Sequence, residues 1–199
     1  AAAPAPGTAA DAGAEVPWSR IATRLTAMLL IIMVAGLMGY AFSGLLREEP
    51  ETNLLTLSVE RRDASEMAFR TGDAAEAERF VRSELGWRLV LPGIDGATLV
   101  GVDVREITEG VEVPVFFYED QATNQLVSLY AYTYTLLDRY PNRIRLERDI
   151  LHQIEEDGNF DLYDLGEERV LIWRNRDDIF VAVMSPTVPD LRERIAFPS

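Results

Sequence analysis

From Leu25 to Leu46 the chain carries no charged residue. A helix of about 22 residues rises ~33 Å, enough to cover the ~30 Å hydrocarbon core of a bilayer. This pattern predicts a transmembrane helix over 20–46, because a buried helix of a water-soluble protein would show a polar face. A cleavable signal peptide has a shorter apolar region and a small-x-small cleavage site, and none precedes "REEPE". The span is therefore expected to be an uncleaved signal anchor.

Beyond the span the period of the pattern changes. "DAAEAERFVRSELG" predicts a helix: Asp73 caps it, Glu76 stands where a capping box needs it, Gly86 closes it, and Phe80, Val81 and Leu85 form its buried face. Strands follow. Val100, Val102 and Val104 alternate, as do Val113, Val115 and Phe117, and the polar "YEDQATNQ" turns the chain into a strand over Leu126 to Tyr134. "RVLIW" and "IFVAV" flank "RNRDD" as a second hairpin, and "TVPDLRERI" predicts a short closing helix with Pro189 in its first turn and Val188, Leu191 and Ile195 on one side. Between the hairpins, Leu146, Ile150, Leu151 and Ile154 follow helical spacing, with Gly158 as a terminator.

The fold class expected is α+β: a single N-terminal transmembrane helix followed by a small antiparallel-sheet domain with flanking helices. Its parts are a low-complexity tail (1–19), the span (20–46), a linker (47–72) and an external domain (73–199) with an inserted segment (135–166). The tail, rich in Ala, Pro and Gly, cannot bury enough apolar surface to fold alone. A domain of about 130 residues is large enough to form its own core.

Arginine placement sets the expected orientation, since the chain has no lysine: Arg20 and Arg24 precede the span, and Arg47 follows it among Glu48, Glu49 and Glu51. That bias predicts a cytoplasmic N-terminus and a periplasmic domain at a bacterial inner membrane. An N-terminal alanine fits removal of an initiator methionine. Trp18 falls where interfacial aromatics anchor a helix. Ala35, Gly39 and Ser43 recur every fourth residue and, with Gly36 and Gly44, form a small-residue face suited to close packing against another membrane helix.

The net charge of −14 falls on the part after the span, because Asp11 and Glu15 cancel Arg20 and Arg24. Such a domain is repelled by nucleic acid and by anionic lipid headgroups. The absence of cysteine excludes thiol catalysis, disulfides and cysteine-ligated clusters. His152, the one histidine, would share a helix face with Glu155 and Glu156, a spacing that fits a solvated face better than a metal site. Carboxylate pairs such as Asp161 with Asp164, or Glu119 with Asp120, lack any sequence sign of separated pKa values. Ser128 has no nucleophile-elbow context. No catalytic residue, metal or cofactor is expected, and a span without histidine offers no axial ligand to chlorophyll or haem. In "LVSLYAYTYTL" a strand sends Tyr130, Tyr132 and Tyr134 to one side and Val127, Leu129 and Ala131 to the other. The tyrosines either pack under a helix or form a docking face.

This order of pieces resembles the periplasmic domain of proteobacterial transmembrane anti-sigma factors. The likeness rests on "AERFVRSELGWRLVLPGI", "ATLVGVDVRE", "VPVFFYEDQATNQLVSLYAY" and "RVLIWRNRDDIFVAVMS", over residues 75–134 and 167–184. It implies a sheet domain with a tryptophan strand. The family's sigma-binding, often zinc-binding, domain precedes its membrane helix, whereas the residues before this span are few, low-complexity and free of His and Cys. The 135–166 segment is also longer than the family's connection. Sigma binding therefore does not carry over, and a shared fold does not imply a shared function. The expected role is a non-catalytic accessory subunit of a multi-subunit membrane complex, photosynthetic (reaction-centre or light-harvesting) or respiratory, with other membrane subunits and the bilayer as partners. The alternative is a membrane-anchored sensor derived from an anti-sigma factor.

Overall fold

A computed structural model describes residues 53–62, 67–156 and 159–197. The expected transmembrane helix (20–46), its packing face Ala35, Gly36, Gly39, Ser43 and Gly44, and Trp18 all lie outside the described residues. Among those residues no helix is long and apolar enough to cross a membrane.

The domain is a mixed α+β fold built on one six-stranded antiparallel sheet. Helix α1 (Leu54–Glu60) and helix α2 (Ala74–Leu85) come first. Strands β1 (Gly93–Ile94), β2 (Ala97–Thr108), β3 (Val111–Asp120) and β4 (Leu126–Thr133) follow. Two short helices, α3 (Tyr134–Arg139) and α4 (Arg148–Gln153), lead to β5 (Phe160–Leu165), β6 (Glu168–Asn175), β7 (Asp178–Met184) and β8 (Ile195–Ala196). The sheet order is β2-β3-β4-β7-β6-β5, and β1 pairs with β8 apart from it.

Strand alternation divides the interior into two clusters, one on each face of the sheet. On the face covered by α2 and the C-terminal segment, Leu162, Leu171, Ala182, Leu129, Phe116 and Val102 form an apolar row across all six strands. On the face covered by α1, α3 and α4, the register places Asp161, Ile172, Val181, Tyr130, Val115 and Asp103 in line. That row has carboxylates at both ends and a tyrosine in its middle.

The expected α2 forms with its caps. The Asp73 side chain accepts from the backbone amides of Ala75 and Glu76, and Gly86 takes the left-handed conformation (φ 71°) that closes the helix. Glu76 reaches Thr71 Oγ1 at 2.7 Å, and Thr71 in turn accepts from the Asp73 amide. The capping box is thus relayed through a threonine. Val81 is fully buried; Phe80 and Leu85 are half-buried, with Phe80 stacked on Phe69 at 5.5 Å.

Three expectations are corrected. Residues 54–60, assigned to a linker, form α1, and its Leu54, Leu55, Leu57 and Ser58 are buried. Asn53 caps this helix by accepting from the Leu55 amide at 2.9 Å, so "NLLTLSVE" holds a cap followed by the apolar Leu54, Leu55, Leu57 and Val59. The closing helix over "TVPDLRERI" does not form. The segment makes isolated turns such as Ile195 N to Leu191 O (3.1 Å), and its end is drawn into strand pairing with β1 as β8 instead. Third, the 135–166 segment adds a strand: after α4, β5 pairs with β6 and becomes a sheet edge carrying Asp161 and Asp164. The opposite edge, β2, is met by Phe69, which exchanges backbone hydrogen bonds with Val102 at 2.8 and 3.0 Å. A side chain on Gly101 would strike Met67 Sδ and Phe69 O, both 2.9 Å from a Cβ placed there, so glycine permits this close approach.

Candidate functional site

The tyrosine stripe behaves differently from a docking face. Tyr130 and Tyr132 point to the same side of β4, but both are completely buried beneath α1. Tyr134 leaves the strand and opens α3, half-buried with the Arg174 guanidinium over its ring. The docking face expected of these residues is therefore not exposed at Tyr130 and Tyr132. The physical reason is the helix in the supposed linker: once α1 covers this face, its aromatics belong to the core.

What α1 covers is unusually polar for an interior. Ser58 Oγ donates to Leu54 O at 2.8 Å and lies 2.7 Å from Tyr132 Oη. Burial pushes the Tyr132 phenol far above its ordinary pKa, only partly offset by the Ser58 hydrogen bond. Tyr130 is also shifted upward by burial, although the charges of Arg105, Arg62 and Arg61 oppose the shift. Ser128 Oγ, beside it on β4, is fully buried without a hydrogen-bond partner.

Arginines fasten the C-terminal end of α1 over these hydroxyls. Arg62 pairs with Glu168 on β6 and donates to Leu126 O on β4 at 2.9 Å. Arg105 on β2 donates to Arg61 O at 2.8 Å and to Asp103 at 2.9 Å, and lies over the Phe117 ring at 5.2 Å. Contacts to β2, β4 and β6 thus fix the point where α1 ends.

A second polar device locks the opposite face. Asp120, fully buried at the end of β3, accepts from Arg194 Nη2 at 2.7 Å, from the Thr123 amide and hydroxyl at 2.9 and 2.8 Å, and from the Ala122 amide at 3.2 Å. Burial alone would raise this carboxyl, but the hydrogen bonds from Arg194 and Thr123 outweigh it and hold it below the usual carboxylate range. Arg194 also donates to Asp95 O at 2.7 Å, tying the C-terminal segment to the β1–β2 turn. Sequence reasoning named Asp120 only as one of many carboxylates, since its partner lies 74 positions away.

His152 is exposed, with Nδ1 3.0 Å from Glu155, and the structure gives Glu156 no part in that contact. Among the described residues no three His, Asp or Glu side chains gather as a metal site requires.

An open groove of about 850 Å³ lies between α3 and α4, beside the start of α1. Leu137, Pro141 and Leu151 give it apolar walls; Asn142, Arg145 and Arg148 line it as well. The amide of Leu54 donates to Arg145 O at 2.8 Å, so the groove lies where the chain enters the domain. Comparison with protein-family models, with curated proteins and with solved structures finds no match to this chain.

Proposed function

We propose that this protein is a single-span, non-catalytic accessory subunit of a multi-subunit membrane assembly, anchored in a bacterial inner membrane with its sheet domain on the periplasmic side. The observation that carries this reading is the start of the domain. Only seven residues, 47–53, separate the uncharged run from α1, a tether of at most ~25 Å at full extension. Leu54, the first residue of that helix, is already fully buried. A packed domain joined by a short connection to an uncharged run is suited to contacting neighbouring subunits, while the small-residue face at Ala35, Gly39 and Ser43 packs against a membrane helix of the assembly. A photosynthetic or respiratory assembly is the proposed host.

A second reading, a membrane-anchored sensor resembling the anti-sigma periplasmic domain, is favoured by the arginine fastening. Movement transmitted into α1 would act directly on its contacts with β2, β4 and β6.

The test is to solubilise native membranes in mild detergent, capture this chain and identify what accompanies it. Recovery at fixed stoichiometry with a large pigment- or haem-containing assembly supports the subunit reading. Recovery alone, or with a signalling partner only, overturns it in favour of the sensor.

A further inference from the structure

The row that crosses the sheet through Tyr130 ends in an aspartate at each edge, and the two aspartates are spent in the same way. At β2, Asp103 Oδ1 accepts the amide of the next residue, Val104, at 2.9 Å, and Oδ2 accepts from Arg105 Nε at 2.9 Å. At β5, Asp161 Oδ1 accepts the Leu162 amide at 2.9 Å, and Oδ2 accepts from the Tyr163 hydroxyl. The stretches "DVR" and "DLY" thus repeat one device. A carboxylate folds back on the following amide and is held there by a donor two positions on.

These two amides are ones that the sheet leaves over. Val102 spends its amide and carbonyl on Phe69, away from β3, and residues two apart on a strand face the same way, so the Val104 amide also points out of the sheet. Each residue of an antiparallel sheet bonds one neighbouring strand only. Along the row of Val102, Phe116 therefore bonds Leu129, Ala182 bonds Leu171, and Leu162 is left pointing outward from β5. Among the described residues no strand pairs with the outer side of β5, and Phe69 alone bridges to that of β2.

From this repetition we infer that Asp103 and Asp161 close the two sheet edges against a strand from a second copy of this chain. An open edge is a template for pairing, and in two copies the same edge can meet itself about a twofold axis, β5 against β5. Phe160 and Leu162, half-buried on that strand, would add apolar area to such a contact. Asp161 opposes it at the central outward donor. An incoming carbonyl finds the Leu162 amide taken and a carboxylate oxygen in its path, and two acceptors cannot pair. The two edges differ in what else covers them: β2 has the Phe69 bridge beside Asp103, whereas β5 relies on Asp161. The inference rests on the sheet alone and is independent of the anchored reading.

The experiment uses the full chain in mild detergent and follows amide exchange residue by residue, together with sedimentation, over a range of protein concentrations. In the parent chain the Leu162 amide should exchange at one rate throughout. Asp161→Ala should speed that amide about fivefold in dilute solution, the worth of one net hydrogen bond, and slow exchange over 160–165 as concentration rises and copies pair. Two controls separate the amide from the charge. Asp164→Ala removes a carboxylate of the same strand that accepts from Arg169, and Asp161→Asn removes the charge but keeps an acceptor oxygen. Both should behave as the parent does. Unchanged protection of Leu129 and Tyr130 in β4 shows that a variant is folded. If Asp161→Ala does not fold, Tyr163→Phe decides: it keeps the carboxylate but removes the donor that holds it, and should speed the Leu162 amide by less. An unchanged Leu162 amide overturns the inference. So does a faster amide with no concentration-dependent protection over 160–165, because the opened edge then admits no second copy. Equal association of Asp164→Ala or Asp161→Asn would assign the effect to charge repulsion and also overturn it. At the other edge, Asp103→Ala should speed the Val104 amide alike, with weaker association because Phe69 still covers Val102. An unchanged Val104 amide overturns the inference for β2.

Discussion

The two faces of one sheet are built on different chemistry. Under α2, Trp173 stacks on Phe180 at 5.5 Å and tilts against Phe160 at 5.8 Å, among Leu, Val and Ala neighbours. Under α1, Ser58, Ser128, Tyr130 and Tyr132 are interleaved with Ile and Val, and arginines close the end. The first face gains from area and shape, and the polar cost it carries is the Trp173 Nε1, buried without a partner. The second buries hydroxyls whose desolvation must be offset bond by bond. The contrast teaches that one strand can serve both: β4 gives Val127, Leu129 and Ala131 to the apolar side and Ser128, Tyr130 and Tyr132 to the polar side.

The strongest way to sharpen this difference is Trp173→Ala. Trp173 is fully buried, and its removal should cost about 3–5 kcal/mol, measured by urea unfolding of the domain. Trp173→Phe should cost much less than its lost volume suggests, because the indole Nε1 is buried without a partner and its desolvation penalty goes with it. A loss under about 1 kcal/mol for Trp173→Ala would break the claim that this face depends on packing.

Arg194→Ala comes next, at about 3 kcal/mol, because it leaves the Asp120 carboxylate buried without its cation while Thr123 and Ala122 still donate to it. Asp120 has a lowered pKa in the fold, so its contribution is present above the ordinary carboxylate range and is lost as pH falls through its folded value. Arg194→Ala should therefore differ least from the parent at strongly acid pH.

Legibility divides along the same line. The face under α2 was readable because its signals are local: Asp73 and Gly86 bound a helix, and Val127, Leu129 and Ala131 alternate in a strand entered through a polar loop. Even the separation of Tyr130 and Tyr132 from Leu129 and Ala131 followed from period two. The face under α1 was not readable as a face. Its cover is a seven-residue helix in a stretch otherwise polar, and what makes that helix persist is tertiary: the Ser58 to Tyr132 contact spans 74 positions. A helix this short is unstable alone. The closing segment misled for the opposite reason, since Val188, Leu191 and Ile195 have helical spacing yet the pairing of Ile195 with Ile94 sets its course. Strand β5 was hidden because "FDLYDL" alternates acidic and apolar residues just after Leu146, Ile150, Leu151 and Ile154, whose spacing is helical.

A smaller effect tests the hairpin that both faces share. Burial, with the Asp177 charge adding to it, pushes the Asp178 carboxyl up to about 6. A carboxyl raised in the fold binds its proton more tightly there than in the unfolded chain, so its stabilising contribution is full below about pH 4 and is lost as pH rises through 6. Asp178→Asn should thus stabilise by about 1–2 kcal/mol at pH 7 after allowance for solvent screening, and by nothing near pH 4. Thermal unfolding at the two pH values checks it.

The smallest effects probe the polar face one hydroxyl at a time. Tyr132→Phe removes a phenol that lies 2.7 Å from Ser58, and should cost about 1 kcal/mol; Ser58 keeps its bond to Leu54 O, which prevents a larger loss. Tyr130→Phe removes a buried phenol whose oxygen has no hydrogen-bond partner of good geometry, and should fall within about 0.5 kcal/mol of neutral or stabilise slightly. The two substitutions delete the same atom from neighbouring positions of one strand, so their difference isolates the hydrogen bond from the burial. If Tyr130→Phe instead costs more than Tyr132→Phe, the hydroxyl is bound through the cation of Arg105, the largest of the charges that oppose its upward shift. The polar face would then be a charged network in which Arg105 joins the end of α1 to the middle of β4, and Arg105→Met in the Tyr130→Phe background would cost less than in the parent.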